Sequence, residues 1–398
     1  MRTCLLILGM HRSGTSALTG VLNLMGVSLG KRLLPSAPDN PKGFYENKDV
    51  THFNEFVLLP ALNSSWDDVR PLSYDTFESL KEFKPQALEI IRDNFSDVSI
   101  CAIKDPRLCI LFPFWESVLK EAGFKIKVIL PVRHPMEVAL SLKKRNGFPI
   151  EKGILLWTKH VLFSEFFSRE YKRVFVKYED LVENPCQTIE YIQSKLKVTF
   201  PESCEDRKES IQEFIDPSLK HHNTKQLPEN IPDYIEKLIH VILHRKRKSV
   251  EILDKIRERY IHDFRFFESA FRDKKKKARS FYVKENVDLW FDTFVIDLVN
   301  LNLLNGKLNI SGLACLKRSY KPSDFGLILK VYKDNELIST VKPQWEQPSP
   351  VYAERNPTNP NAKRARFSIW VSEAINRFEV FLNYRNNSYK LVGVELYD

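Results

Sequence analysis

The six cysteines of this 398-residue chain, Cys4, Cys101, Cys109, Cys186, Cys204 and Cys315, are scattered, and no two form a C-x-x-C pair. Several lie in apolar runs, which favours buried free thiols in a reducing compartment over a disulfide framework. No window approaches the roughly 18 apolar residues that a membrane span needs. The N-terminal apolar run, Cys4 to Leu8, is too short for a signal-peptide core and passes straight into a glycine loop. The chain therefore reads as cytoplasmic, without a transmembrane segment. It carries no zinc-ligand pattern, RNA-binding aromatic signature or helix-turn-helix pattern, so nucleic acid is not the expected partner despite a net charge of +10. His11, His134 and the pair His221-His222 have no cysteine or carboxylate at a ligand-like spacing. No metal is expected.

What remains is a soluble globular composition, 43% hydrophobic and 28% charged, with length enough for two domains. The stretch from Cys4 to Leu22 organises the rest. Cys4-Leu5-Leu6-Ile7-Leu8 suits a strand buried on both faces. Gly9 to Gly14 breaks the pattern, and from Thr15 the apolar residues Leu18, Val21, Leu22 and Met25 fall on one helical face. Strand, glycine-bounded loop and helix aim free N–H groups and a helix N-terminus at an anion. The loop reads G-x-x-x-x-G-T-S, with Thr15 where an ATP-binding loop carries lysine. That absence argues against a nucleoside triphosphate. Arg12, inside the loop, supplies a planar cation suited to an oxyanion.

Further along, strands over Val98–Ile103, Ile126–Val132 and Val174–Lys177 alternate with helices over Phe112–Ala122, Met136–Lys144, Ile154–Tyr171 and Pro185–Leu196. Each strand ends in a polar cluster: Lys104-Asp105-Pro106-Arg107, Arg133-His134-Pro135 and Tyr178-Glu179-Asp180-Leu181. This predicts an α/β fold, an open parallel sheet flanked by helices, with ligands outside the carboxyl ends of the strands. Pro131 is awkward in a central strand unless it falls at the end of the ladder. Lys31 to Asp49 reads as a loop, Val50 to Leu62 as a helix, and Tyr74 to Phe95 as a helix interrupted by Pro85. A long basic helical region follows from Pro232 to about Phe271, its apolar stripe a packing surface.

After Tyr282 short β-rich segments are separated by Asn, Gly and Pro, the pattern of a small all-β sandwich. Residues 1–271 are read as a catalytic domain, 272–285 as a basic linker and 286–398 as an accessory domain. The linker is read as a solvated charge run, with peripheral membrane contact as the lesser alternative. Trp290, Trp345, Trp370 and Tyr384 have two readings, core packing and stacking on sugar rings.

The loop G-M-H-R-S-G-T-S resembles the 5′-phosphosulfate loop of sulfotransferases that use 3′-phosphoadenosine 5′-phosphosulfate (PAPS). The likeness spans roughly residues 1–225 through five motifs in order. It implies a P-loop-type fold and PAPS as co-substrate, with Arg12, Ser13, Gly14, Thr15 and Ser16 holding the 5′-phosphosulfate. It implies that Arg133, Ser141 and Arg145 contact the 3′-phosphate, and that Tyr178 lies near the nucleotide. Glu46, in N-P-K-G-F-Y-E, would take the acceptor's proton. Lys104, in a segment similar to that of tyrosylprotein and related sulfotransferases, would stabilise charge on the transferring group together with Arg12. Packing remains an equal alternative for Tyr178, and an ordinary ion pair is one for Glu46. Asp105 and Arg107 could pair with each other. The weak likeness of the C-terminal half to β-modules of bacterial carbohydrate-modifying enzymes, with the basic charge, points to a polysaccharide or glycan hydroxyl as acceptor. A P-loop kinase and a non-catalytic glycan-binding protein are the two alternatives. The residues assign no role to His221 or His222.

Overall fold

In the computed structural model, residues 2–36, 40, 42–62, 64–72, 74–215, 226–244, 249–270, 277–282, 287, 289–302, 307–347, 358–371, 375–385 and 387–397 are described. His221, His222 and residues 273–276 of the basic run lie outside the described residues. The chain divides into two compact units. One comprises Met1–His52 with Val69–Arg265, the other Phe53–Asp68 with Phe266–Asp398.

The first unit is an α/β structure. It holds β1 (Arg2–Ile7), β2 (Ile100–Lys104), β3 (Phe124–Val132) and β4 (Arg173–Lys177), all parallel, in the spatial order β2-β1-β3-β4. The helices in chain order begin with α1 (Thr15–Leu24) and α2 (Lys48–Phe53). The latter runs through a π-helical turn, Asn54–Leu58, into α3 (Leu59–Ala61), and both of these belong to the second unit. After α4 (Lys84–Phe95) come α5 (Leu108–Glu121), α6 (Pro135–Asn146), α7 (Ile150–Phe167), α8 (Tyr178–Glu183) and α9 (Pro185–Leu196). The last three are α10 (Lys208–Phe214), α11 (Asp233–His244) and α12 (Ser249–Ala270). Cys4 to Ile7 are fully buried, as the unbroken apolar run predicts. Leu18, Val21 and Leu22 of α1, with Met25 just after it, pack with Leu5, Ile7, Ile129, Val174 and Val176 of the sheet.

Pro131 shows why the sheet opens where it does. The Leu8 N–H donates to Ile129 O at 2.9 Å, and the next bond of a parallel ladder would need an N–H that proline lacks. At this level β1 turns away into the loop. The backbones crowd there, since a Cβ on Gly9 would sit 2.7 Å from Pro131 Cγ. Proline likewise explains the Tyr74 to Phe95 stretch. It forms a 3-10 helix, Tyr74–Phe83, and then α4 with Pro85 in its first turn, where no N–H is needed.

The second unit contains β5 (Lys277–Tyr282), β6 (Phe291–Asn302), β7 (Lys307–Leu316), β8 (Phe325–Lys333), β9 (Glu336–Val341), β10 (Gln344–Gln347), β11 (Arg366–Val371), β12 (Arg377–Tyr384) and β13 (Asn387–Tyr397). They form two antiparallel sheets, β10-β11-β7-β6 and β5-β13-β12-β8-β9. Residues of both sheets, among them Phe294, Ile310 and Phe367 with Leu329, Phe378, Val380 and Val394, share one apolar cluster. Two strands escape the sequence pattern. β5 falls in the stretch read as linker, where its basic residues hide it, and β10 is short. Of the four aromatics with a sugar-stacking alternative, Trp290, Trp345 and Tyr384 belong to or pack on the apolar core, and Trp370 is half-buried. Trp290 is buried, its ring centroid 5.0 to 5.6 Å from those of Tyr320, Phe325, Tyr384 and Tyr389. Trp345 packs on the same core and donates its Nε1–H to Ala314 O at 3.0 Å.

Candidate active site

Four strand ends carry four of the sequence motifs to one edge of the parallel sheet. The loop follows β1, Lys104 ends β2, Arg133 follows β3 and Tyr178 follows β4. Gly14 caps α1 in a left-handed conformation, φ +82°, and no side chain caps that helix end. Its first-turn N–H groups therefore have no intrahelical partner, and the helix dipole adds positive potential there. Ser13 and Thr15 are buried and Arg12 is itself left-handed, φ +69°. For a residue with a Cβ that conformation is uncommon and marks a shaped loop.

Glu46 and Lys104 form the innermost pair. Lys104 Nζ donates to Glu46 Oε1 at 2.6 Å, to Phe44 O at 2.8 Å and to Ser16 Oγ at 3.1 Å. The lysine and glutamate side chains are only 2% and 7% exposed. Such a pair is costly to desolvate and persists only with further hydrogen bonds, which Phe44 and Ser16 supply. Ser16 Oγ also accepts from Asn40 Nδ2 at 3.3 Å. Burial lifts the Glu46 carboxyl above its ordinary range. The Lys104 ammonium pulls back and Asp105 pushes further up. Asp105 and Arg107 pair with each other at 2.9 Å, and the aspartate also accepts the Arg107 N–H at 3.0 Å.

A second cluster joins the loop to α6. Arg12 Nε donates to Ser141 Oγ at 2.8 Å. Arg133 lies beside it, reaching Arg12 O from Nη1 at 3.3 Å and Glu137 Oε2 from Nε at 2.6 Å. The Arg133 guanidinium sits 4.4 Å from the centroid of the Tyr178 ring. That ring lies against Gly14, where a Cβ would come within 2.3 Å of it, so only glycine fits. Tyr178 thus packs between loop and arginine, and burial raises its phenol. His134 caps α6 by accepting the Met136 N–H, and Trp157 Nε1 donates to Arg133 O at 3.0 Å. Arg145, four residues after Ser141, donates from Nε to Asn146 Oδ1 at 2.7 Å. Its charge helps burial hold His11 well below the usual histidine range.

The structure therefore brings Arg12, Ser141, Arg133, Tyr178 and Gly14 into one group and Glu46, Lys104 and Ser16 into another. Around both, cations outnumber carboxylates. Glu137 and Trp157 were missed. The glutamate left a signal, since it stands four residues after Arg133 at ion-pairing spacing; a tryptophan inside a buried helix left none. Among the described residues no group of three or more His, Cys, Asp or Glu is arranged to hold a metal ion, and no helix is long and apolar enough to cross a membrane.

Two solved sulfotransferase domains align with part of the chain. A sulfotransferase domain from the Synechococcus PCC 7002 olefin synthase aligns with 61% of this chain and 94% of its own, at 19% identity and a TM-score of 0.37. One from the curacin biosynthetic pathway aligns with 62% of this chain and 99% of its own, at 15% identity and a TM-score of 0.33. No family model matches the chain. An uncharacterized protein of Archaeoglobus fulgidus is 44% identical over 92 residues, so the chain spans only 23% of that relative's length and the match 23% of this chain.

Proposed function

We propose that the protein is a sulfotransferase that moves a sulfuryl group from PAPS to a hydroxyl acceptor on a polysaccharide or other glycan. The observation that carries this reading is the buried Glu46–Lys104–Ser16 cluster, bonded at 2.6 and 3.1 Å, beside a loop and helix start suited to an anion. The donor set fits the co-substrate. The α1 N-terminus with Ser13, Gly14, Thr15 and Ser16 would hold the 5′-phosphosulfate, and Arg133, Ser141 and Arg145 the 3′-phosphate, with Tyr178 alongside the nucleotide.

Glu46 accepts the proton of the acceptor hydroxyl as its oxygen bonds to sulfur. The bond from sulfur to the phosphate oxygen breaks, and adenosine 3′,5′-bisphosphate leaves with the electron pair. Lys104 and Arg12 neutralise the charge that develops on the transferring group and leaving oxygen. The raised carboxyl of Glu46 suits a base, because proton affinity grows as solvation is withdrawn. The Lys104 ammonium beside it opposes that rise. The β-rich unit, with its start proposed near residues 272–285, would act as an accessory domain that holds the acceptor polymer.

Two measurements test the reading. Calorimetry should give tighter binding of adenosine 3′,5′-bisphosphate than of ATP; the reverse preference would point to a phosphotransferase. Mass spectrometry of candidate glycans incubated with PAPS should show sulfate addition. Tight binding of the bisphosphate without transfer to any hydroxyl would leave a binding protein on this scaffold.

A further inference from the structure

Glu137 has no part in the proposed reaction, yet its buried carboxylate touches the anion-binding arginine. We propose that Glu137 is a positioning residue that fixes the plane of the Arg133 guanidinium for recognition of the 3′-phosphate. This rests on the reading in which Arg133 meets that phosphate.

The geometry supplies the first reason. Glu137 stands in the first turn of α6, wholly buried, and Arg133 lies two residues before that helix begins. Their 2.6 Å bond engages Nε, the nitrogen on the stem side of the guanidinium. Holding Nε sets the plane of the fork and directs its two terminal nitrogens away from the stem. The same guanidinium is held on its face by the Tyr178 ring at 4.4 Å and at Nη1 by Arg12 O at 3.3 Å. It is thus fixed at one edge, one face and one tip, which makes a bidentate phosphate clamp rather than a swinging charge.

The second reason is the sign of the charge. A carboxylate beside an anion site repels the ligand, so its electrostatic effect on binding is unfavourable. Burying it is costly as well. An ion pair kept for stability would have both oxygens satisfied, but Glu137 Oε1 is buried without a hydrogen-bond donor among the described residues. The two roles predict opposite changes. If Glu137 only offsets charge, its removal tightens phosphate binding. If it orients Arg133, its removal weakens binding, and only for ligands bearing the 3′-phosphate.

The test is calorimetry on the full chain with adenosine 3′,5′-bisphosphate and with adenosine 5′-phosphosulfate, which lacks the 3′-phosphate. Glu137→Ala should weaken the bisphosphate about 10- to 100-fold, the scale of losing a buried orienting partner, and leave the phosphosulfate within about 2-fold. Glu137→Gln keeps the volume and an acceptor for Nε–H, so it should lose selectively but less, and it serves if the alanine variant does not fold. Added to Arg133→Ala, Glu137→Ala should cause no further selective loss. In turnover the PAPS KM should rise more than kcat falls. Equal losses for both ligands, no loss, or tighter binding in the glutamine variant would overturn the proposal. If Arg133→Ala itself fails to discriminate the ligands, the 3′-phosphate assignment falls instead. A discriminating Arg133→Ala with silent Glu137 variants would sink the positioning role alone.

Discussion

The two units use their expensive residues in opposite ways. In the α/β unit Glu46, Lys104, Asp105, Arg107, Arg133 and Glu137 are all buried, and all lie within a few residues of strand or helix ends at one edge of the sheet. Among the described residues of the second unit, Glu379 is buried in the β-rich segment and satisfied by Arg377, Lys390 and Tyr332, and Asp67 and Asp68 are buried in the segment Phe53–Asp68. There the large investment is aromatic, with Trp290, Phe291, Phe294, Phe367 and Phe378 in the core. Desolvated charge costs several kcal/mol per ion unless paired, so a concentration of it calls for a reason other than stability. Aromatic burial stabilises directly. The contrast sets buried charge gathered at strand and helix ends in the first unit against aromatic packing in the second.

Breaking the first side of that contrast should have the largest effect. Glu46→Gln should fold and keep its affinity for adenosine 3′,5′-bisphosphate while losing about 10²- to 10⁴-fold in turnover, because an amide cannot take the acceptor's proton. Turnover within a few-fold of wild type would move the base elsewhere, Asp105 being next. On the other side, Trp290→Ala should cost the β-rich unit about 3–5 kcal/mol, the range for a large buried aromatic. Denaturant titration followed by intrinsic fluorescence would register it. Binding of adenosine 3′,5′-bisphosphate should be unaffected below the unfolding transition; lost binding would show that the labour is not divided this way.

The sequence was informative where one local rule decided the outcome. The run Cys4 to Ile7 could only be buried, Gly9 and Gly14 bounded a loop between strand and helix, and polar clusters at strand ends pointed to the carboxyl end of the sheet. Pairings across long separations were not legible. Nothing in the spacing says that Lys104 reaches Glu46 and Ser16, or that Tyr178 lies on Gly14, because such contacts depend on how the strands are ordered. The β-rich unit failed differently. Its tryptophans have the same composition signature whether they face a core or a sugar, and β5 is obscured by lysine and arginine whose backbone nonetheless pairs with β13.

A smaller effect should separate the units by pH. His160 is fully buried in α7, and burial with the nearby Lys159 charge lowers it to about 3; His11 is lowered too. Between the unfolded value near 6.5 and the folded one, the unfolded chain binds the proton and the native chain does not. Stability therefore rises with pH in this window and drains as pH falls through it. Each such histidine contributes a slope of about 1.4 kcal/mol per pH unit. Denaturation of the α/β unit followed from pH 7 to pH 4 should show it, and His160→Gln should flatten the slope by about one histidine's worth. An unchanged slope would mean the imidazole is not what the acid limb reports.

The smallest expected effect is none. Arg12, in the loop, is held by Ser141, while Lys104 donates to Ser16 of α1 and Arg133 to Arg12 O, and Thr15 stands where a triphosphate-binding loop has lysine. Positive charge held in place by side chains can stabilise a developing oxyanion without further counter-charge, whereas phosphoryl transfer from a triphosphate draws on Mg²⁺ bridging the phosphates. Sulfate transfer should therefore proceed at the same rate after dialysis against a strong chelator, and added Mg²⁺ should change it by less than about 2-fold. The sharper form of the test pairs chelation with Lys104→Met, which removes one fixed cation. If Mg²⁺ rescues that variant but not the wild type, lysine and metal are interchangeable sources of charge and the clamp assignment holds. If chelation alone abolishes turnover and Mg²⁺ restores it, the fixed cations are insufficient, and the site belongs with metal-dependent phosphotransferases after all.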